Sequence, residues 1–135
     1  MPFYPDEQTL YGSLREVFTR IEQGSPDAYR ALTSARLALR FRCTEPVAEV
    51  LLDGRRPGQF LAVYGPTQIA RPDLDVELAA DTLHEVLLDV LPLKKAVGRG
   101  LIKVKGPAWK LSALADVLAA GRAFYPDVLR EQRLM

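Results

Sequence analysis

The chain has one cysteine, Cys43, and one histidine, His84, in 135 residues. A single cysteine excludes an intramolecular disulfide and fits a reducing compartment. With only one histidine beside it, a Cys/His zinc centre has too few ligands. Charge of one sign is also missing. The 18 Lys and Arg against 17 Asp and Glu leave a formal net charge of +1, so the total charge predicts no long-range attraction to nucleic acid. No apolar run reaches the roughly 18 residues that mark a membrane-spanning helix. The start, Met1-Pro2-Phe3-Tyr4-Pro5-Asp6-Glu7, lacks the basic and apolar regions of a secretory signal. The end, Arg133-Leu134-Met135, is not a peroxisomal address. A soluble cytoplasmic protein is expected. Repeats, low-complexity runs and interdomain linkers are absent as well, so residues 1–135 are expected to form one domain, which can bury roughly two thirds of its unfolded surface without a staple.

What is present is apolar periodicity. Leu10, Leu14, Val17, Phe18 and Ile21 fall on one face of a helix, with Gly24 placed to close it. Ser25-Pro26-Asp27 can open a short second helix running to about Thr33. Leu37, Leu39, Phe41 and Cys43 alternate with Arg36, Ala38, Arg40 and Arg42, the signature of a strand wet on one face. Two more strands are predicted near Ala48 to Leu52 and Gln59 to Tyr64, joined by a turn at residues 53–58. Leu74, Val76 and Leu78 alternate with Asp73, Asp75 and Glu77 in a fourth strand. Leu83, Val86, Leu87, Val90 and Leu91 then mark a helix that Pro92 ends. A turn through Leu93 to Val97 leads to a fifth strand, Gly100 to Gly106. Leu111, Leu114, Ala115 and Leu118 mark a last main helix, and the segment after Gly121, with Pro126 inside it, reads as a short broken helix.

The strands carry a charge pattern that fixes their neighbours. The wet residues of the strand around Arg40 are basic, those around Asp75 acidic, and those around Lys103 basic again. Opposite charges across a strand pair contribute roughly 0.2–1 kcal/mol each and like charges oppose pairing. The acidic strand therefore belongs between the two basic ones. The fold class is α+β: a sheet of about five strands with one face wet and the other covered by helices.

Catalysis needs polar groups that titrate or attack, held in a cleft. His84 lies at the edge of an apolar helical stripe, Cys43 follows the inward phase of its strand, and Ser112 has no nucleophile-elbow surroundings. Gly98-Arg99-Gly100 lacks the third glycine of a dinucleotide loop. Lys94 and Lys95 read as a solvated turn able to meet a carboxylate or phosphate, and Trp109 as a core residue or a pocket wall. No cofactor and no metal is expected. What remains is aliphatic, and a hydrocarbon ligand needs nothing else. Each buried methylene contributes roughly 0.8 kcal/mol, so a chain of about 16 carbons gains on the order of 12 kcal/mol before ordering costs. The composition is compatible with a hollow core and with a filled one.

The segments Arg71-Pro72-Asp73-Leu74-Asp75-Val76-Glu77-Leu78, Asp81 to Leu88, and Pro92 to Gly106 with its Gly-x-hydrophobic-x-hydrophobic-x-Gly strand resemble the sterol carrier protein type 2 family in order and spacing. The resemblance covers roughly Arg36 to Leu118. Asp89-Val90 stands where many members carry Gly-Lys, and the peroxisomal tail is missing, which points to a prokaryotic single-domain relative. The resemblance implies a five-stranded, mixed and mostly antiparallel sheet covered by helices around an apolar tunnel for fatty acid, fatty acyl-CoA, phospholipid, sterol or isoprenoid, with no catalytic residues. By position, Leu87, Leu91, Val97, Ile102, Leu114 and Leu118 are the implied tunnel-lining residues.

The leading expectation is a non-enzymatic lipid carrier. Its partners are a lipid or acyl-chain ligand, a membrane met transiently and a second copy in a homodimer, with no nucleic acid. The rival is an interaction protein, or an accessory subunit of a lipid- or quinone-modifying enzyme, using the same fold with its interior filled. A third reading, a hydrolase or transferase acting on acyl-CoA, has only Cys43 and His84 to work with.

Overall fold

A computed structural model describes residues 2–56, 59–67 and 71–134. Met1, Met135 and part of the predicted turn, Pro57 and Gly58, lie outside the described residues. Helix α1 (Glu7–Gly24) starts at Asp6, whose carboxylate accepts a hydrogen bond from the Thr9 N–H at 2.8 Å and satisfies one of the donors that a helix start leaves free. Its predicted stripe, Leu10, Leu14, Val17, Phe18 and Ile21, is buried. The short second helix is a 3-10 turn (Pro26–Tyr29) that widens into one α-turn, α2 (Arg30–Ser34).

Strands β1 (Ala38–Thr44), β2 (Ala48–Asp53), β3 (Leu61–Tyr64), β4 (Leu74–Ala79) and β5 (Ile102–Lys105) form one sheet in the order β3-β2-β1-β4-β5. The pair β1–β4 is parallel and the other three pairs are antiparallel. The acidic strand lies between the two basic ones, as the charges require. Arg40 faces Asp75 and Arg42 faces Glu77 across β1–β4, while Lys105 faces Asp75 and Lys103 faces Glu77 across β4–β5. An Arg40 Nη2 donates to Asp75 Oδ2 at 2.9 Å and Arg42 Nε to Asp75 Oδ1 at 3.0 Å. These side chains are only 16% (Arg40) and 12% (Asp75) exposed, so the pair is screened far less than a surface salt bridge. The opposite face of the sheet, with Leu39, Phe41, Cys43, Val50, Leu52, Leu74, Val76 and Leu78, packs under the helices.

Helix α3 (Ala80–Leu87) is shorter than its periodicity predicts. Asp89 adopts a left-handed φ of 62°, and the Val90 and Leu91 N–H groups both return to the Glu85 carbonyl at 2.9 and 3.2 Å. The helix is thus closed before Pro92 is reached. Leu91 is nevertheless buried, outside the helix that the sequence assigns to it. The predicted turn after Pro92 is a helix of six residues, α4 (Leu93–Gly98).

Two expectations need correction. The chain after Gly121 is not a broken helix: α5 runs without interruption from Leu111 to Glu131 with Pro126 inside it. An internal proline costs about 3 kcal/mol, but Gly121, Tyr125, Val128 and Leu129 are all buried on this stretch, and Gly121 lets Leu87 of α3 and Val17 and Ile21 of α1 approach the α5 backbone closely. That burial outweighs the lost hydrogen bond. Trp109 is not a core residue. It occupies a 3-10 turn (Ala108–Lys110) ahead of the α5 stripe and is 69% exposed, with the Lys110 ammonium over its ring at 5.1 Å.

Candidate functional site

Helix α4 is about 9 Å long and α5 about 31 Å, from their 6 and 21 residues. The shorter helix cannot cover the longer one's apolar stripe. Of that stripe, Leu114 and Leu118 are buried, Leu111 is half-buried and Ala115 is exposed. The uncovered part faces a cleft of about 680 Å³ between α4 and α5, within the roughly 300–1,000 Å³ usual for small-molecule sites. Leu93 and Val97 wall it from α4, and Leu111, Leu114 and Ala115 wall it from α5.

Polar groups stand at its margins. Asp89, Lys94, Ser112 and Arg122 also line it. Arg122 Nε donates to the Val86 carbonyl at 3.1 Å and lies 3.8 Å from Asp89 Oδ1, which anchors the guanidinium by one edge. Its Nη nitrogens and the Lys94 ammonium make no hydrogen bond or ion pair among the described residues. The cleft can therefore take an apolar chain along its walls and an anionic group against either cation.

Of the six residues implied as tunnel-lining, Val97 and Leu114 line this cleft. Leu87, Leu91, Ile102 and Leu118 are buried in the hydrophobic core and are not among its wall residues. Leu93, Ala115 and Arg122 join the site without having been singled out for it. The signal for Ala115 was present in the α5 stripe, but nothing in the pattern tells which stripe residues a short neighbour leaves bare. Arg122 carries no local signal at all.

A second groove, about 570 Å³, lies between α1 and the edge strand β3. Arg15, Thr19, Glu22 and Tyr64 line it together with Phe18 and Phe60, and the Arg15 guanidinium sits 4.8 Å from the centre of the Tyr64 ring. Its walls are more polar than those of the α4–α5 cleft.

Cys43 and His84 are employed elsewhere. Burial pushes the Cys43 thiol up to about 12, so it stays protonated and a poor nucleophile. His84 Nδ1 shares a 2.6 Å hydrogen bond with the Tyr125 hydroxyl, which in turn lies 2.6 Å from the Tyr4 hydroxyl. Phe3 stacks on the imidazole at 3.7 Å, and its N–H donates to Asp81 at 2.9 Å. Desolvation lowers the His84 pKa, against the opposing pull of Asp81 and Glu85. This cluster ties the N-terminal segment to α3 and α5. Neither residue lines the cleft, and no hydrogen bond joins the two among the described residues. Among the described residues no group of three or more His, Cys, Asp and Glu could hold a metal ion, and no helix is long and apolar enough to cross a membrane.

No protein-family model and no curated protein matches the chain. Solved structures do. The sterol carrier protein domain 2 of Helicoverpa armigera superposes with a TM-score of 0.65 at 15% identity, over 87% of this chain and 89% of that one. Sterol Carrier Protein 2 from Yarrowia lipolytica, in its apo form, gives 0.60 at 16% identity, over 84% and 90%. The palmitated SCP2L2 of Aedes aegypti gives 0.58 at 18% identity, over 79% and 91%. The likeness extends over most of the chain in each case: this chain has the sterol carrier protein 2 fold.

Proposed function

We propose that this protein binds and carries a lipid with a long acyl or isoprenoid chain, without catalysing a reaction on it. The observation that carries this reading is the α4–α5 cleft, with aliphatic walls and two cations at its margins. The chain of the ligand lies along Val97, Leu111, Leu114 and Ala115, and its carboxylate or phosphate meets Lys94 or Arg122. Leu87, Leu91, Ile102 and Leu118 come into contact with it only if the core opens behind Leu114. The fold that this chain shares with a palmitated structure supports the reading, as does the scarcity of catalytic chemistry around Cys43 and His84.

The rival reading, an interaction protein or enzyme accessory subunit with a filled interior, has one observation in its favour: four of the six implied tunnel residues are buried in the core. Native mass spectrometry of protein purified without detergent, then mixed with palmitate and with palmitoyl-CoA, separates the two. A lipid carrier shows a stoichiometric adduct that organic extraction removes. A clean protein mass that survives both additions contradicts the carrier and favours the filled-core protein, and the same spectrum reads a homodimer directly.

A further inference from the structure

The cleft opens through a part of the chain unlike the rest. Between Val90 and Ala115 there are six cations, Lys94, Lys95, Arg99, Lys103, Lys105 and Lys110, and no Asp or Glu. A chain with a net charge of only +1 is therefore polarised, and the remainder is net acidic. Lys110 is engaged by Asp73 at 3.3 Å, and Lys103 and Lys105 face carboxylates across β4–β5. Lys94, Lys95 and Arg99 are exposed and have no ion pair among the described residues.

Exposed apolar side chains are concentrated in the same stretch of the chain. Among the described residues six large apolar side chains are exposed, and four of them, Val90, Val97, Leu101 and Trp109, fall within this acid-free stretch. Val97 lines the cleft, and each of the others is within three residues of one that does. Single aliphatic side chains interleaved with unpaired cations and one indole match the layering of a bilayer interface, where hydrocarbon, indole and phosphate lie within a few ångströms in depth.

We propose that this rim docks on an anionic lipid bilayer, with Val90, Val97, Leu101 and Trp109 entering the interface while Lys95 and Arg99 meet the headgroup phosphates. An acidic protein or a nucleic acid would satisfy the cations but leave the aliphatic side chains without a partner. The choice of a bilayer also rests on the lipid-carrying reading, because a cargo that dissolves in membranes must enter and leave through one. Docking at this rim places the cleft mouth against its source.

Trp109 is the chain's single tryptophan, so its fluorescence reports this surface alone. With vesicles of phosphatidylcholine mixed with phosphatidylglycerol, Trp109 emission is expected to shift to the blue and to be quenched by brominated acyl chains, both effects fading as salt is added. A Lys95→Gln/Arg99→Gln variant should bind these vesicles roughly thirtyfold more weakly, with its palmitate affinity unchanged because neither residue lines the cleft. Equal quenching on pure phosphatidylcholine overturns the role of the cations. A silent Trp109 on both vesicles overturns docking, whether or not palmitate binds. An equal response to poly-glutamate transfers the surface to an acidic protein and overturns the bilayer. Docking with no affinity for palmitate leaves this surface assignment standing and removes the carrier reading instead.

Discussion

An Ala115→Trp variant is expected to lose palmitate affinity roughly a hundredfold while its melting temperature stays within about 2 °C of the parent's. Ala115 is exposed and lies on the α5 wall of the cleft, so an indole there occupies space that the ligand needs without entering the core. Displacing three or four methylenes of an acyl chain, at about 0.8 kcal/mol each, removes about 3 kcal/mol of binding. Exposed helical substitutions stay within about 0.5 kcal/mol of stability, which sets the small thermal shift. Calorimetric titration with palmitate and a thermal melt read the two quantities. Unchanged affinity in a folded variant removes the ligand from this cleft.

An Asp75→Ala variant is expected to show the opposite pattern, a large loss of stability with no direct effect on the site. Asp75 accepts hydrogen bonds from both Arg40 and Arg42 and is largely shielded from solvent. Its removal leaves the Arg40 guanidinium nearly buried without its partner. Breaking such a pair costs about 3 kcal/mol or more, about 10 °C in a protein of this size. The pH dependence carries the same signature. Desolvation raises the Asp75 pKa, but the hydrogen bonds and charges of Arg40 and Arg42 outweigh it and the carboxyl titrates below its ordinary value. Asp73 is lowered too, where the Ala38 N–H, Arg55 and Lys110 outweigh desolvation. Below about pH 5 the unfolded chain therefore binds more protons than the folded one. The stability these carboxylates contribute is complete above the ordinary carboxylate pKa and is lost as pH falls through the folded-state value. Urea denaturation across acidic pH should show a steep decline for the parent and a shallower one for the variant. Parallel declines would mean that Asp75 is not the group responsible.

The sheet was the most legible part of the molecule. Alternation sets which side of β1 and β4 is buried, and the charges at Arg40, Arg42, Asp75, Glu77, Lys103 and Lys105 then place β4 between β1 and β5. Helix ends were less legible. Val90 and Leu91 fit the periodicity of α3, yet the left-handed Asp89 removes them from the helix, a backbone event with no apolar signature. Pro126 erred in the other direction, since a local rule against proline was overridden by buried contacts that Tyr125, Val128 and Leu129 make with distant segments. Of the six residues that the family resemblance implied by position, Val97 and Leu114 line the α4–α5 cleft and the other four lie in the core. Which apolar residues remain bare depends on the length of α4 relative to α5, a three-dimensional property.

The most direct measurement is an NMR titration with stearate carrying a nitroxide near the end of its chain, recording which amides broaden. If the cleft holds the ligand, broadening centres on Leu93 to Gly98 of α4 and Leu111 to Ala115 of α5. Broadening centred on Phe60 to Tyr64, beside the α1–β3 groove, or spread evenly over the surface would contradict a lipid site between α4 and α5.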